Sequence, residues 1–251
     1  MNQPDLPTLS LHDLGRERGW PAPPQHSHAS LTRWNGEQDD GPTLQYLYRV
    51  FAPRRHLEFG TWQGFGTCQC LEACAATVWT INLPDGETKS DGSWAYGHRV
   101  TDEGGTPPGA VSVNFGADAD GPRTYHRTDA ASYIGRLYRE KGLGHRVCQI
   151  YCDSRAWDTS AYPAGFFDSV MIDGGHQAEV VLSDTRKALP LLRTGGLMLW
   201  HDYCPHPEVI ASSPAVQGVT SAITTLLPEL RASFATLAWI NPSHILLGLK
   251  K

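Results

Sequence analysis

The stretch FDSVMIDGGHQAEVVLSDTRKALPLLRTGGLMLWHDY, Phe167 to Tyr203, decides the fold. Phe167 to Ile172 is an apolar run of strand length that stops at Asp173. Ala178 to Leu192 has the spacing of an amphipathic helix, with Val181, Leu182, Leu189 and Leu192 inward and Pro190 distorting its last turn. Gly195-Gly196 stops that helix. Leu197 to Trp200 is a second apolar strand, and it ends in His201-Asp202-Tyr203. Two buried strands joined through a helix form a parallel crossover, because an antiparallel pair would need only a short turn.

The same alternation extends to both sides. Upstream, Pro42 opens a helix to Phe51 with Leu44, Leu47, Tyr48 and Phe51 on one face. His56 to Phe59 reads as a buried strand running into the turn Gly60-Thr-Trp-Gln-Gly64-Phe-Gly66. A helix over Thr67 to Ala76 and a strand over Val78 to Leu83 follow. After a long break come a helix over Ala130 to Lys141, closed by Gly142, and a strand over Val147 to Cys152. Downstream, Val216 to Leu227 reads as a helix. Leu237 to Ile240 and His244 to Leu249 are strands joined only through Asn241-Pro242-Ser243, which is too short for a crossover, so the sheet ends antiparallel. The expected fold is α/β: a doubly wound, mostly parallel sheet with an antiparallel terminal strand. Residues 1–41, rich in Pro, Gly, His and charge, read as an irregular N-terminal arm ahead of a domain over 42–251. Residues 84–128, rich in Gly, Pro, Asp and Thr, read as an insertion in that domain. They begin on the ligand side of the sheet and carry Trp94, Tyr96, His98, Phe115 and Tyr125, so a lid, a substrate-binding element or a dimer element is expected there.

Composition excludes several functions. The 251 residues carry 21 Lys+Arg against 26 Asp+Glu, a net charge of −5, so the basic footprint of a nucleic-acid binder is missing. No apolar run approaches the ~20 residues that span a bilayer. The N-terminus lacks a basic segment followed by an apolar core, so a cytoplasmic protein is expected. The six cysteines have no matched Cys-x-x-Cys pairs, and thiols are expected rather than zinc ligands or disulfides.

In such a sheet ligands bind at the carboxyl ends of the strands. Four polar segments stand there: Glu58 to Gly64, Asn82 to Asp85, Cys152-Asp153-Ser154, and the pair Asp173-Gly-Gly-His176 with His201-Asp202-Tyr203. The glycine turn lets backbone approach a ligand without a Cβ in the way. Its spacing departs from Gly-x-Gly-x-x-Gly, which makes a nicotinamide oxidoreductase a weak reading, and Glu58 beside it suits a ligand with a cationic end. Two carboxylates facing one pocket, Asp173 and Asp202, repel unless a cation lies between them.

These residues carry a resemblance. LEFGTWQGFGT, Leu57 to Thr67, resembles motif I of class I S-adenosylmethionine-dependent methyltransferases. The opening stretch, with Asp-x-x-His at one strand end and His-Asp-Tyr at the next, is similar to the bacterial branch of macrocin-type O-methyltransferases and relatives once labelled cephalosporin hydroxylases. The resemblance implies a seven-stranded Rossmann-like methyltransferase sheet. It implies that Glu58, Gly60 and Gly64 line the methionine part of S-adenosylmethionine, that Asp153 and Ser154 sit by the adenine, and that Thr61 and Asp173 also contact the cofactor. The position that usually holds an acid for the ribose hydroxyls holds Asn82 here. In metal-dependent members an Asp and an acidic pair bind a divalent cation. Asp173 and Asp202 match these, and His201 stands where an acid often occurs. Oxygen ligands favour Mg²⁺ or Mn²⁺, and a His ligand tilts toward Mn²⁺, Fe²⁺ or Zn²⁺. His176 matches the general base, with an ordinary pKa of ~6.5 suited to proton removal near neutrality. The expected function is methyl transfer to a hydroxyl of a small molecule, such as a sugar unit of a natural product, a diol or a phenol. A metal-independent methyltransferase and a catalytically idle S-adenosylmethionine-binding protein are the alternatives. An arm plus an insertion is compatible with a homodimer.

Overall fold

The computed structural model describes residues 5–25, 27–83, 111–118, 121–127 and 134–251. Its strands are β1 (Thr8–Leu9), β2 (Arg55–Phe59), β3 (Thr77–Asn82), β4 (Val111–Asp118), β5 (Gly121–Arg127), β6 (Val147–Tyr151), β7 (Phe167–Ile172), β8 (Leu192–Trp200), β9 (Phe234–Ile240) and β10 (Ile245–Lys250). Eight of them form one sheet in the order β1-β9-β10-β8-β7-β2-β3-β6. Within it β10 alone runs antiparallel, against β8 and β9. The sheet is thus the doubly wound, mostly parallel one expected. It has one strand more than seven, because the two-residue β1 pairs along the outer edge of β9.

The helices are α1 (Leu11–Arg18), α2 (Gly36–Phe51), α3 (Phe65–Ala73), α4 (Arg136–Glu140), α5 (Ala178–Leu191), α6 (Pro207–Ser212) and α7 (Pro214–Ser233). Two apolar cores follow from layers on the two faces. One gathers Trp200, Phe167, Val181 and Ile223, and the other gathers Leu14, Leu44, Tyr48 and Leu247.

Three expectations are corrected. The first concerns the N-terminal region, expected to be irregular up to a helix start at Pro42. It contains α1, whose Leu14 is fully buried, and α2 begins at Gly36, where the Asn35 side chain accepts from Gln38 N and acidic residues fill the first turn. That cap and its favourable charges at the helix N-terminus outweigh the single hydrogen bond Pro42 removes. Second, Gly195-Gly196 does not end α5. The helix stops at Leu191, and both glycines lie inside β8. Third, of the helix expected over Ala130 to Lys141, the described residues form α4 from Arg136, because Gly135 precedes it with φ +70, and residues 130–133 lie outside the described residues. Within the expected insertion, β4 and β5 pair antiparallel with each other. Residues 84–110 lie outside the described residues, as do the side chains of β4 and β5, and with them the reading of this segment as a lid.

Candidate active site

The tips of β2 and β7 meet where the glycine turn begins. Gly60 has φ +97, and a Cβ there would lie 1.9 Å from the Asp173 carbonyl oxygen. Only glycine permits both the backbone conformation and the approach. Gly60 N donates to the Ile81 carbonyl at 2.8 Å and Asp173 N to the Phe59 carbonyl at 2.8 Å, so three strand ends are locked side by side. Gly64, with φ +91, closes the turn and precedes α3.

Around this turn the expected cofactor residues are already engaged with protein. Asn82 is buried. Its Oδ1 accepts from Thr61 N at 3.0 Å and Trp62 N at 2.9 Å, and its Nδ2 donates to the Leu83 carbonyl at 2.7 Å. The amide therefore clamps the turn instead of presenting a free oxygen at the tip of β3. Thr61 is buried against Thr80 and Gln149. Glu58 is 1 % exposed, is hydrogen-bonded by Thr67 and packs under Gly66 at the start of α3. Burial pushes its carboxyl up to about 8, with Asp173 adding to the rise and the Thr67 bond opposing it. At the tip of β6, Asp153 is paired to Arg155 at 2.7 Å and Ser154 opens a short 3₁₀ turn. Asp85 lies outside the described residues.

The second half of the site is a knot of acids and histidines. His201 Nδ1 lies 3.1 Å from Asp173 Oδ1 and 3.3 Å from Asp202 Oδ2. His176 Nε2 lies 2.9 Å from the same Asp202 Oδ2. One potential ligand atom each from Asp173, His201 and Asp202 falls within 4.8 Å of the others. The donor set of two carboxylates and one imidazole fits a divalent cation of the Mn²⁺ kind. Asp202 adopts φ +56, an uncommon conformation for a non-glycine residue, which re-aims its carboxylate at the end of β8. Burial alone would lower the pKa of His201. The charges of Asp173 and Asp202 and their hydrogen bonds outweigh that and hold it well above the usual 6.5. Burial likewise opposes the charge on His176, but the bond and charge of Asp202 raise it above 6.5. Asp202 is held well below the usual carboxylate range, with both histidines outweighing its burial.

Two features were not singled out in the sequence. Gly218 of α7 lies so close that a Cβ there would be 2.0 Å from the His176 carbonyl oxygen. Asp40 of α2, fully buried, stands 3.1 Å from His201 Nε2. Neither carries a local signal, because each acts through a contact across more than forty residues of chain.

A family profile described as "Methyltransferase domain" matches residues 57–203, from the Leu57 of β2 through the Tyr203 that follows β8. The chain belongs to this methyltransferase family. It is an S-adenosylmethionine-dependent methyltransferase with the class I fold. Among solved structures, the methyltransferase is similar to cofactor-bound Rv0187 from MTB, at 18% identity over 87% of this chain and 82% of that one, with a TM-score of 0.52. It is also similar to a proposed caffeoyl-CoA O-methyltransferase from Staphylococcus aureus, at 13% identity over 96% and 90%, TM-score 0.54. An O-methyltransferase from Bacillus cereus in complex with SAH matches at 18% identity over 94% and 87%, TM-score 0.50. No curated protein matches the chain. No helix among the described residues is long and apolar enough to cross a membrane.

Proposed function

We propose that this methyltransferase transfers the methyl group to a hydroxyl of a small molecule with the help of a divalent cation held by Asp173, His201 and Asp202. The observation that carries the reading is the convergence of Asp173 Oδ1, His201 Nδ1 and Asp202 Oδ2 beside the glycine turn, with His176 on the same carboxylate. S-adenosylmethionine supplies an activated methyl on a sulfonium, so the protein's work is alignment and proton removal. A cation in that donor set would lower the pKa of the acceptor hydroxyl and hold its oxygen. His176, half exposed and aimed at Asp202, takes the hydroxyl proton as its neutral imidazole, and Asp202 stabilises the imidazolium that forms. Gly60 and Gly64 shape the cradle for the cofactor, while Asn82, Thr61 and Glu58 keep its backbone in place. The net negative charge of −5 favours a small-molecule acceptor over nucleic acid or an anionic membrane.

The second reading is a metal-independent methyltransferase. It is favoured by His201 itself, which as an imidazolium would offset the same carboxylates. One experiment separates the two. Phenols, vicinal diols, glycosides and primary amines are screened for release of S-adenosylhomocysteine with Mn²⁺, with Mg²⁺, and with EDTA. Turnover that EDTA abolishes and Mn²⁺ restores supports the metal. Undiminished turnover in EDTA supports the second reading, and a panel in which only amines react overturns transfer to oxygen.

A further inference from the structure

We propose that Asp40 is the positioning residue that turns His201 into a ligand for the cation, and that the first two turns of α2 are therefore part of the active site. The inference rests on the metal reading above.

A buried carboxylate needs a partner, and Asp40 is 0% exposed. Its Oδ1 accepts from His244 N at 3.1 Å. Its Oδ2 takes no hydrogen bond among the described residues and faces His201 Nε2 at 3.1 Å. The other ring nitrogen, Nδ1, points to Asp173 and Asp202. The imidazole thus spans from a buried acid outside the donor set to the two acids within it. The charge of a carboxylate 3.1 Å from Nε2 favours the hydrogen on that nitrogen and leaves the Nδ1 lone pair for a cation.

The backbone supports the same arrangement. Gly36 and Asp40 are four apart on α2 and lie on one face of the helix. A Cβ on Gly36 would sit 2.9 Å from His201 Cε1, so the helix packs its backbone against the edge of the ring between the two nitrogens. Asp39 ties the start of the helix down by accepting from Asn35 N at 2.8 Å and Ala29 N at 3.0 Å. His201 N donates to the Ile172 carbonyl at 3.0 Å, fixing the other end of the residue to β7. The ring is held at its backbone by the sheet and at its Nε2 edge by α2.

The test is Asp40→Asn. The variant keeps an oxygen for His244 N and puts an amide NH₂ where Oδ2 faced Nε2. Nε2 must then accept, and the hydrogen moves to Nδ1, where it opposes a cation. Mn²⁺ binding is followed by electron paramagnetic resonance, and S-adenosylhomocysteine binding by calorimetry, on the full chain. The expected result is a 10–100-fold loss of Mn²⁺ affinity in Asp40→Asn with cofactor affinity within about threefold of the wild type. Gly36→Ala, which pushes on the ring without changing charge, is expected to weaken Mn²⁺ in the same direction and decides the matter if Asp40→Asn does not fold. Wild-type Mn²⁺ affinity in both variants overturns the role of Asp40 and leaves the metal reading standing. A wild-type protein that binds S-adenosylhomocysteine but no Mn²⁺ overturns the metal reading and this inference with it.

Discussion

Replacing Gly60 by alanine tests the geometry on which the site depends, and it needs no knowledge of the acceptor. The new Cβ would lie 1.9 Å from the Asp173 carbonyl oxygen, 2.5 Å from its carbon and 2.7 Å from Gly174 Cα. All three are backbone atoms, so no side chain can swing aside. The tips of β2 and β7 must part by more than 1 Å, against hydrogen bonds from Gly60 N to Ile81 and from Asp173 N to Phe59. Alanine at φ +97 adds about 1–2 kcal/mol, and the overpacking about 1–3 kcal/mol. At roughly 3 °C per kcal/mol for a chain of this size, Tm falls by about 10 °C. Gly142→Ala is the control. It has φ +69 but nothing within 4 Å of its Cβ, so it bears the conformational cost alone, about 4 °C. Because the displaced tip carries Asp173, Gly60→Ala is also expected to lose S-adenosylhomocysteine affinity at least tenfold by calorimetry, while Gly142→Ala retains it. Equal Tm values and equal cofactor affinities for the two variants would refute the claim that this close approach builds the cradle.

Three further outcomes follow from the charges in the site. If neutral His176 is the base, turnover falls as pH drops through its raised pKa, giving an acid limb above pH 6.5. His176→Ala then loses about 10²–10⁴-fold in kcat, and Asp202→Asn moves the limb to lower pH, which a pH–rate profile checks. His201 holds its proton well above pH 6.5 without a cation, so Mn²⁺ binding at pH 7 releases about one proton, read as a calorimetric enthalpy that changes with the ionisation enthalpy of the buffer. Glu58 is pushed up to about 8 in the fold from 4.5, so the stability it contributes is present below pH 4.5 and lost as pH rises through 8. Urea unfolding of Glu58→Gln is therefore expected to show a decline between pH 5 and pH 9 that is smaller than the wild type's by on the order of 3–5 kcal/mol, and parallel declines would count against it.

The alternation of β2, β3, β6, β7 and β8 with α3, α5 and α7, the antiparallel closing strand and the polar tips of β2, β3, β6, β7 and β8 were legible in the sequence, whereas β1, α1 and α6 were not. Each is written locally: apolar runs of strand length, helical spacing such as Val181 and Leu182, a glycine turn after Phe59, Asp173 and His201-Asp202 after the last apolar residue of their strands. The convergence of Asp173, His201 and Asp202 followed as well, because adjacent parallel strands end at the same edge. What tertiary structure alone decided are the contacts between distant segments. Asn82 stands where the resemblance suggests a ribose contact, yet its amide is taken by Thr61 N and Trp62 N. Gly218 matters because α7 passes His176, and Asp40 because α2 starts early enough to reach His201. Periodicity and capping report what a residue does within its own element. Which two backbones come within van der Waals contact, and which buried acid meets which ring nitrogen, is set by how the finished layers pack, and no local pattern encodes it.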